Sequence, residues 1–151
     1  MTTTHLRFVR DDGGRADAGR RGDTGDCVTR AFAIATGRPY ADVYALFADG
    51  MANLPRRRPS SRPRRSASHG VSPKVYKPVF AAAGFVWLPT MSIGSGTTVH
   101  VRADELPVTG RHILRLSGHL AAWVDGTLRD TYDCSRDGTR AVYGVWSLPD
   151  E

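Results

Sequence analysis

Apolar side chains in the first half of the chain recur at the spacing of an α-helix. Tyr40, Val43, Tyr44 and Phe47, for example, lie at positions i, i+3, i+4 and i+7, which places them along one face. Glycines follow such runs, as expected where helices end. The pattern predicts helices that begin at Cys27, Tyr40 and Pro73 and end near Thr36, Gly50 and Gly84. Their apolar faces should pack together.

The second half of the chain has the signals of β-strands joined by tight turns. Its apolar runs are rich in Val, Leu, Trp and Tyr, and Asp125-Gly126 between two of them is a strong signal for a two-residue hairpin. The predicted strands are Phe85 to Leu88, His112 to Leu116, Gly118 to Val124, Thr127 to Tyr132 and Ala141 to Trp146. Helices followed by strands indicate an α+β fold, with the helices packed on a C-terminal antiparallel β-sheet.

The length and the composition indicate one domain. A chain of 151 residues with 40% hydrophobic residues can bury an adequate core, so we expect a single domain over residues 1–151. The first residues lack the basic flank and apolar run of a signal peptide, and no run approaches the length of a membrane span. We therefore expect a cytoplasmic protein with no membrane partner.

The positive charge is concentrated in one short segment. The formal net charge is +6, and six arginines between residues 55 and 72 account for it. This segment is rich in Pro and Ser and predicts a flexible basic loop, while residues 1–22 predict a flexible lead-in. The loop suits nucleic-acid phosphates or an acidic partner, although a solvated insertion without a ligand is the alternative. Its arginines are Arg56, Arg57, Arg58, Arg62, Arg64 and Arg65.

Cys27 is the first candidate for chemistry because it opens the first predicted helix, directly after Asp26 as the predicted N-cap. The positive end of a helix dipole lowers the pKa of a thiol and favours the thiolate. A histidine that folds back against this thiol would act as its base, and His119 lies at the start of a later predicted strand, Gly118 to Val124. The pair predicts a cysteine-dependent acyl-transfer site.

The predicted hairpin adds a third residue to this site. A two-residue turn at Asp125-Gly126 places His119 and Asp130 on the same side of the sheet, diagonally related. Asp130 can then hold the tautomer of the imidazole and stabilise the imidazolium. Asp133, expected on the opposite face, is the reserve candidate. The same side as His119 should carry Trp123 and Tyr132, most simply as packing residues.

These residues also allow other interpretations. Cys27 and Cys134 could form a disulfide, which a reducing compartment disfavours, and either thiol could simply be buried. A zinc site from Cys27, His119 and Cys134 has no CxxC or HxxxH spacing to support it. The remaining histidines are scattered without ligand spacing: His5, His69, His100 and His112. We therefore expect no metal and no cofactor.

Three segments carry a resemblance to a known superfamily. They are Gly-Asp-Cys-Val-Thr-Arg-Ala at 25–31, Lys-Val-Tyr at 74–76, and the stretch from Ser-Gly-His to Asp-Cys-Ser at 117–135. These segments resemble small bacteriophage and prophage proteins with the papain-like order of Cys, His and Asp, over roughly residues 23–148. The resemblance implies Cys27 as nucleophile, His119 as base and Asp130 as orienting residue. Papain-type enzymes carry an oxyanion-binding Gln where this chain has Arg21, which leaves the second oxyanion donor unassigned. The backbone N–H of Cys27 could provide one hydrogen bond to the oxyanion, and Thr24 or Arg21 could provide another.

Two hypotheses about function follow. The first is a papain-like cysteine peptidase or amidohydrolase of phage or prophage origin that acts on a protein or peptide. The second is a catalytically inactive papain-like protein that binds a host protein or nucleic acid through the basic loop. A weaker third is a structural or assembly component of the virion.

Overall fold

The computed structural model describes residues 6–19, 26–54, 70–91 and 98–149. Over these ranges the fold is α+β, with three helices and a six-stranded mixed sheet. The helices are α1 (Cys27–Thr36), α2 (Tyr40–Ala52) and α3 (Pro73–Ala82). The strands are β1 (Arg7–Arg10), β2 (Val86–Pro89), β3 (Arg111–Leu116), β4 (His119–Val124), β5 (Thr127–Asp130) and β6 (Gly144–Leu148).

The helix boundaries follow the local sequence signals. Helix α1 ends where Gly37 adopts a left-handed conformation with φ of 74°, and the Gly37 N–H donates to the carbonyl of Ala33. Helix α3 begins at Pro73, and the preceding Ser72 hydroxyl accepts a hydrogen bond from the backbone N–H of Lys74. The predicted bounds of α1 are confirmed, and those of α2 and α3 differ by about one turn or less.

The three helices pack together, as the apolar stripes predicted. The Phe32 ring of α1 stacks on the Phe80 ring of α3 at 5.3 Å and meets the Phe47 ring of α2 edge-on at 5.6 Å. All three rings are fully buried. This aromatic cluster holds α1, which begins at Cys27, against the other two helices.

The sheet has the order β1-β5-β4-β3-β6-β2, and four of its five strand pairs are antiparallel. Val124 pairs with Thr127 across the Asp125-Gly126 turn, which confirms the predicted hairpin register. The expected antiparallel sheet is wrong at one edge, because β1 runs parallel to β5. Strand β1 also lies within the lead-in predicted for residues 1–22. Its short run, Arg-Phe-Val-Arg, is largely exposed and has too little apolar alternation to signal a strand.

Two strands differ from the prediction: β5 ends earlier than predicted, and β6 begins later. Strand β5 ends at Asp130, and the chain then turns, so Tyr132 lies beyond the ladder. Strand β6 begins at Gly144 rather than at Ala141, which forms an isolated bridge with His100. The indole of Trp87 packs directly over Gly144, a position where a Cβ would overlap the ring. The absence of a side chain at Gly144 therefore allows the Trp87 ring to lie against the start of β6.

Each face of the sheet has its own core. Leu120 and Ala122 of β4 face the helices and join their cluster, whereas Ala121 and Trp123 belong to a second cluster under the irregular segments. Helix α1 lies against β4, so its first residue comes close to the start of that strand. Within the described residues, no helix is long and apolar enough to cross a membrane.

Candidate active site

Cys27 lies half-buried at the first position of α1, beside the start of β4. Burial raises the pKa of its thiol, but a hydrogen bond from His119, the charge of that ring and the backbone N–H of Leu120 lower it. The net pKa lies below the ordinary value of 9.0. The surroundings of Cys27 therefore favour a thiolate, as expected for a nucleophile.

His119 lies between Cys27 and Asp130. Its Nε2 atom is 2.6 Å from Oδ2 of Asp130, which leaves Nδ1 for the side of the thiol. Burial lowers the pKa of the imidazolium, but hydrogen bonds to Asp130, Cys134 and Cys27 raise it, from 6.5 to about 12. Because the thiol pKa is lowered and the imidazole pKa is raised, the two groups favour an ion pair near neutral pH.

Asp130 is a buried carboxylate whose oxygens are fully engaged. Besides His119, it accepts the backbone N–H of Thr131 at 2.7 Å and a guanidinium N–H of Arg30 at 3.4 Å. Burial raises the pKa of Asp130, while the hydrogen bond and charge of His119 and the charge of Arg30 lower it, so the net pKa lies below 3.8. Asp130 is thus held as an anion that orients His119.

Behind Asp130 lies a second buried carboxylate, Asp26. Asp26 occupies the N-cap position of α1, as predicted, but its side chain makes no hydrogen bond to the first-turn N–H groups. Instead it pairs with Arg30 and with Arg15, and it accepts the Tyr40 hydroxyl at 2.6 Å. The guanidinium of Arg30 offers a buried carboxylate more attraction than a neutral backbone N–H, so the side chain turns inward.

Cys134, the second thiol, is buried near the other face of His119. Burial raises its pKa, and the net pKa lies above 9.0 despite the nearby imidazole. Both cysteines are free, so the disulfide alternative does not describe this structure. Ligand atoms of His119, Asp130 and Cys134 lie within 4.8 Å of one another. This group differs from the zinc site considered from the sequence, because it contains Asp130 in place of Cys27. Because Nε2 of His119 and Oδ2 of Asp130 are already hydrogen-bonded to each other, we assign no metal to this group.

A cleft of about 540 Å³ is lined by Cys27 and His119. Its walls come from the first turn of α1, the start of α3 and the turn between β3 and β4. Residues of these walls include Tyr76, Arg115 and Ser117, and Tyr132 lines the cleft from the segment after β5. Cys27 and His119 therefore lie in the wall of a cleft.

The structure thus brings together the three residues selected from the sequence, Cys27, His119 and Asp130. The reserve candidate Asp133 is exposed, and its carboxylate accepts the N–H of Ser135 in a turn. Trp123 is a packing residue as predicted, fully buried in the second core. Tyr132 is not: it is 51% exposed, and its ring lies 5.7 Å from the His119 ring at the cleft.

Sequence reasoning missed Arg30, Tyr76 and Arg115. Arg30 could have been found, because it follows Asp26 by four residues and shares the helix face of Cys27. Tyr76 lies in the segment 74–76 that carries the resemblance, but no role was assigned to it, and Arg115 carries no local signal, since only the tertiary structure brings these two residues to the cleft. The basic segment and the oxyanion candidates Arg21 and Thr24 lie outside the described residues, apart from the last part of that segment, residues 70–72.

No protein-family model, curated protein or solved structure matches this chain.

Proposed function

We propose that this protein is a cysteine-dependent acyl-transfer enzyme with a papain-like arrangement, a peptidase or amidohydrolase of bacteriophage or prophage origin. One observation carries the proposal: the His119 imidazole lies between the Cys27 thiol and the Asp130 carboxylate. This is the order of nucleophile, base and orienting acid that acyl transfer requires. The cleft above Cys27 supports the proposal because a substrate can reach the sulphur.

The first half of the reaction forms a thioester. The Cys27 thiolate attacks the carbonyl carbon of an amide or ester, and the carbonyl π electrons move to oxygen. As that oxyanion collapses, the bond to the leaving group breaks, and the His119 imidazolium donates a proton to the departing nitrogen or oxygen. His119 is then neutral and Cys27 is acylated.

The second half releases the acyl group. Neutral His119 takes a proton from a water molecule, or from an acceptor nucleophile, as the oxygen or nitrogen of that molecule bonds to the thioester carbon. This proton transfer restores the imidazolium, and collapse of the second tetrahedral intermediate breaks the C–S bond and expels the Cys27 thiolate, which restores the ion pair. Asp130 keeps the ring oriented through both steps.

The oxyanion in both intermediates needs hydrogen-bond donors. Helix geometry leaves the backbone N–H groups of the first turn of α1 without acceptors inside the helix, and the N–H of Cys27 is one of them. In the proposed mechanism this N–H donates to the oxyanion, supported by the positive end of the helix dipole.

The proposal is tested by the pH dependence of Cys27 alkylation with iodoacetamide, resolved from Cys134 by peptide mass spectrometry. The lowered pKa of Cys27 keeps it a thiolate on the acidic side of 9.0, and labelling is lost only as the pH falls through that lowered value. We expect rapid labelling at pH 6 and a decrease of at least about tenfold in His119→Ala.

The matched control is His100→Ala, which removes a histidine paired with Glu105 at 3.0 Å, outside the cleft lining. This variant should label at the wild-type rate. If Cys27 instead titrates like an ordinary thiol and does not respond to His119→Ala, the enzyme proposal is wrong. The binding hypothesis, with the basic segment as its contact, would then be the one to pursue.

A further inference from the structure

Among the residues that the structure describes, the cleft at Cys27 has one positive charge that no neighbouring carboxylate neutralises. The described residues of its lining include Arg15, Arg30 and Arg115 but no Asp or Glu. The guanidinium groups of Arg15 and Arg30 are balanced by two carboxylates, since Arg15 pairs with Asp26 and Arg30 contacts both Asp26 and Asp130. The Cys27 and His119 charges cancel each other as an ion pair. Arg115 is the cation that remains.

Arg115 is close to the reacting thiol. In the register of the sheet it pairs with Leu120, whose backbone N–H contacts the sulphur of Cys27. Directly paired residues project to the same face, and Leu120 faces α1. Arg115 therefore extends along the helix side of the sheet into the cleft, beside Tyr76.

The Arg115 side chain is half-buried and makes no hydrogen bond or ion pair to any residue that the structure describes. A half-buried guanidinium loses hydration and is stabilised when an anion replaces the lost water. Its planar fork fits a carboxylate with two parallel hydrogen bonds, and the apolar neighbourhood of Tyr76 strengthens the attraction. Arg15 and Arg30 cannot serve in this way because carboxylates already hold them.

On these grounds we infer that the cleft accepts an amide or ester substrate that carries a carboxylate close to the reacting carbonyl, and that Arg115 binds this carboxylate. The inference rests on the proposed function and names its substrate class. Arg115 is then the residue that determines specificity, while Cys27 and His119 carry out the chemistry.

Two alkylating reagents of similar size test the inference on the intact protein. In both, the Cys27 thiolate forms a bond to carbon as iodide leaves, but iodoacetate carries a carboxylate and iodoacetamide does not. The quantity to measure is the rate constant for iodoacetate divided by that for iodoacetamide at Cys27. Any change in the thiolate fraction cancels in this ratio. A neutral thiol, N-acetylcysteinamide, gives the reference ratio.

We expect the Cys27 ratio to exceed the reference ratio, to fall by about tenfold in Arg115→Gln, and to decline as salt rises. Arg115→Lys keeps the positive charge and should retain most of the preference, which guards against a general loss of structure in the Gln variant. Arg7→Gln is the matched control, because it removes one exposed arginine that is not part of the cleft lining. This variant should keep the wild-type ratio.

The possible failures are distinct. If Cys27 reacts rapidly with iodoacetamide at pH 6 but the ratio is the same in wild type and Arg115→Gln, the carboxylate inference is wrong and the proposed function stands. If Cys27 reacts slowly with both reagents, the proposed function fails, and this inference fails with it.

Discussion

Replacement of Arg30 by Met should destabilise the protein by about 3 kcal/mol, at the lower end of the range for breaking buried ion pairs. Asp26 is 0% exposed and Asp130 is 3% exposed, and Arg30 is the cation that contacts both. Methionine is unbranched and flexible, so it fills most of the vacated space. The decrease in the free energy of unfolding therefore comes mainly from the lost charge. We expect a loss at the lower end of that range because Arg30 Nε is itself buried without a partner among the described residues, and the Met variant removes this unsatisfied group.

Equilibrium unfolding in urea, followed by tryptophan fluorescence, measures this loss. For a domain of this size, 3 kcal/mol corresponds to a decrease of roughly 6–12 °C in the melting temperature. Arg30→Lys keeps the charge but cannot bridge two carboxylates with a planar fork, so it should lose less than the Met variant.

Arg129→Met is the matched control, because it also breaks an arginine–aspartate pair, here with Asp11 at 3.3 Å. The side chains of this pair are 37% and 28% exposed. Such a pair contributes only about 0–1 kcal/mol. If Arg30→Met loses no more stability than Arg129→Met, burial does not give the Arg30 network its energy, and the reasoning is refuted.

Two further predictions concern the site and the sheet. Asp130→Asn removes a charge that raises the His119 pKa, so Cys27 labelling at pH 6 should slow by about tenfold. Asp133→Asn, in an exposed turn, is the control and should leave the rate unchanged. Equal rates in the two variants would contradict the role assigned to Asp130. Gly144→Ala places a methyl group against the Trp87 ring and should cost about 1–3 kcal/mol in urea unfolding, but much less in a Trp87→Ala background. An equal cost in both backgrounds would mean that the ring is not the cause.

Local sequence signals were sufficient for the helices and for the central hairpin. The caps at Ser72 and Gly37 and the apolar stripes act within a few residues of the chain, so they can be recognised without knowing the tertiary structure. The turn at Asp125-Gly126 likewise set the register of β4 and β5. The edge strand β1 was missed because its partner, β5, lies more than a hundred residues away and its own sequence is too short to show a pattern.

The candidate site divides in the same way. The sequence by itself determined that Cys27 begins a helix and that His119 and Asp130 lie on one side of a hairpin, because helix ends and two-residue turns are local geometry. Only the tertiary structure decided that α1 packs on β4 and brings the thiol to the imidazole, that Asp26 turns inward to Arg30, and that Arg115 enters the cleft. These contacts depend on how separate elements pack, and packing is set by the shape and charge of distant residues rather than by neighbours in the chain.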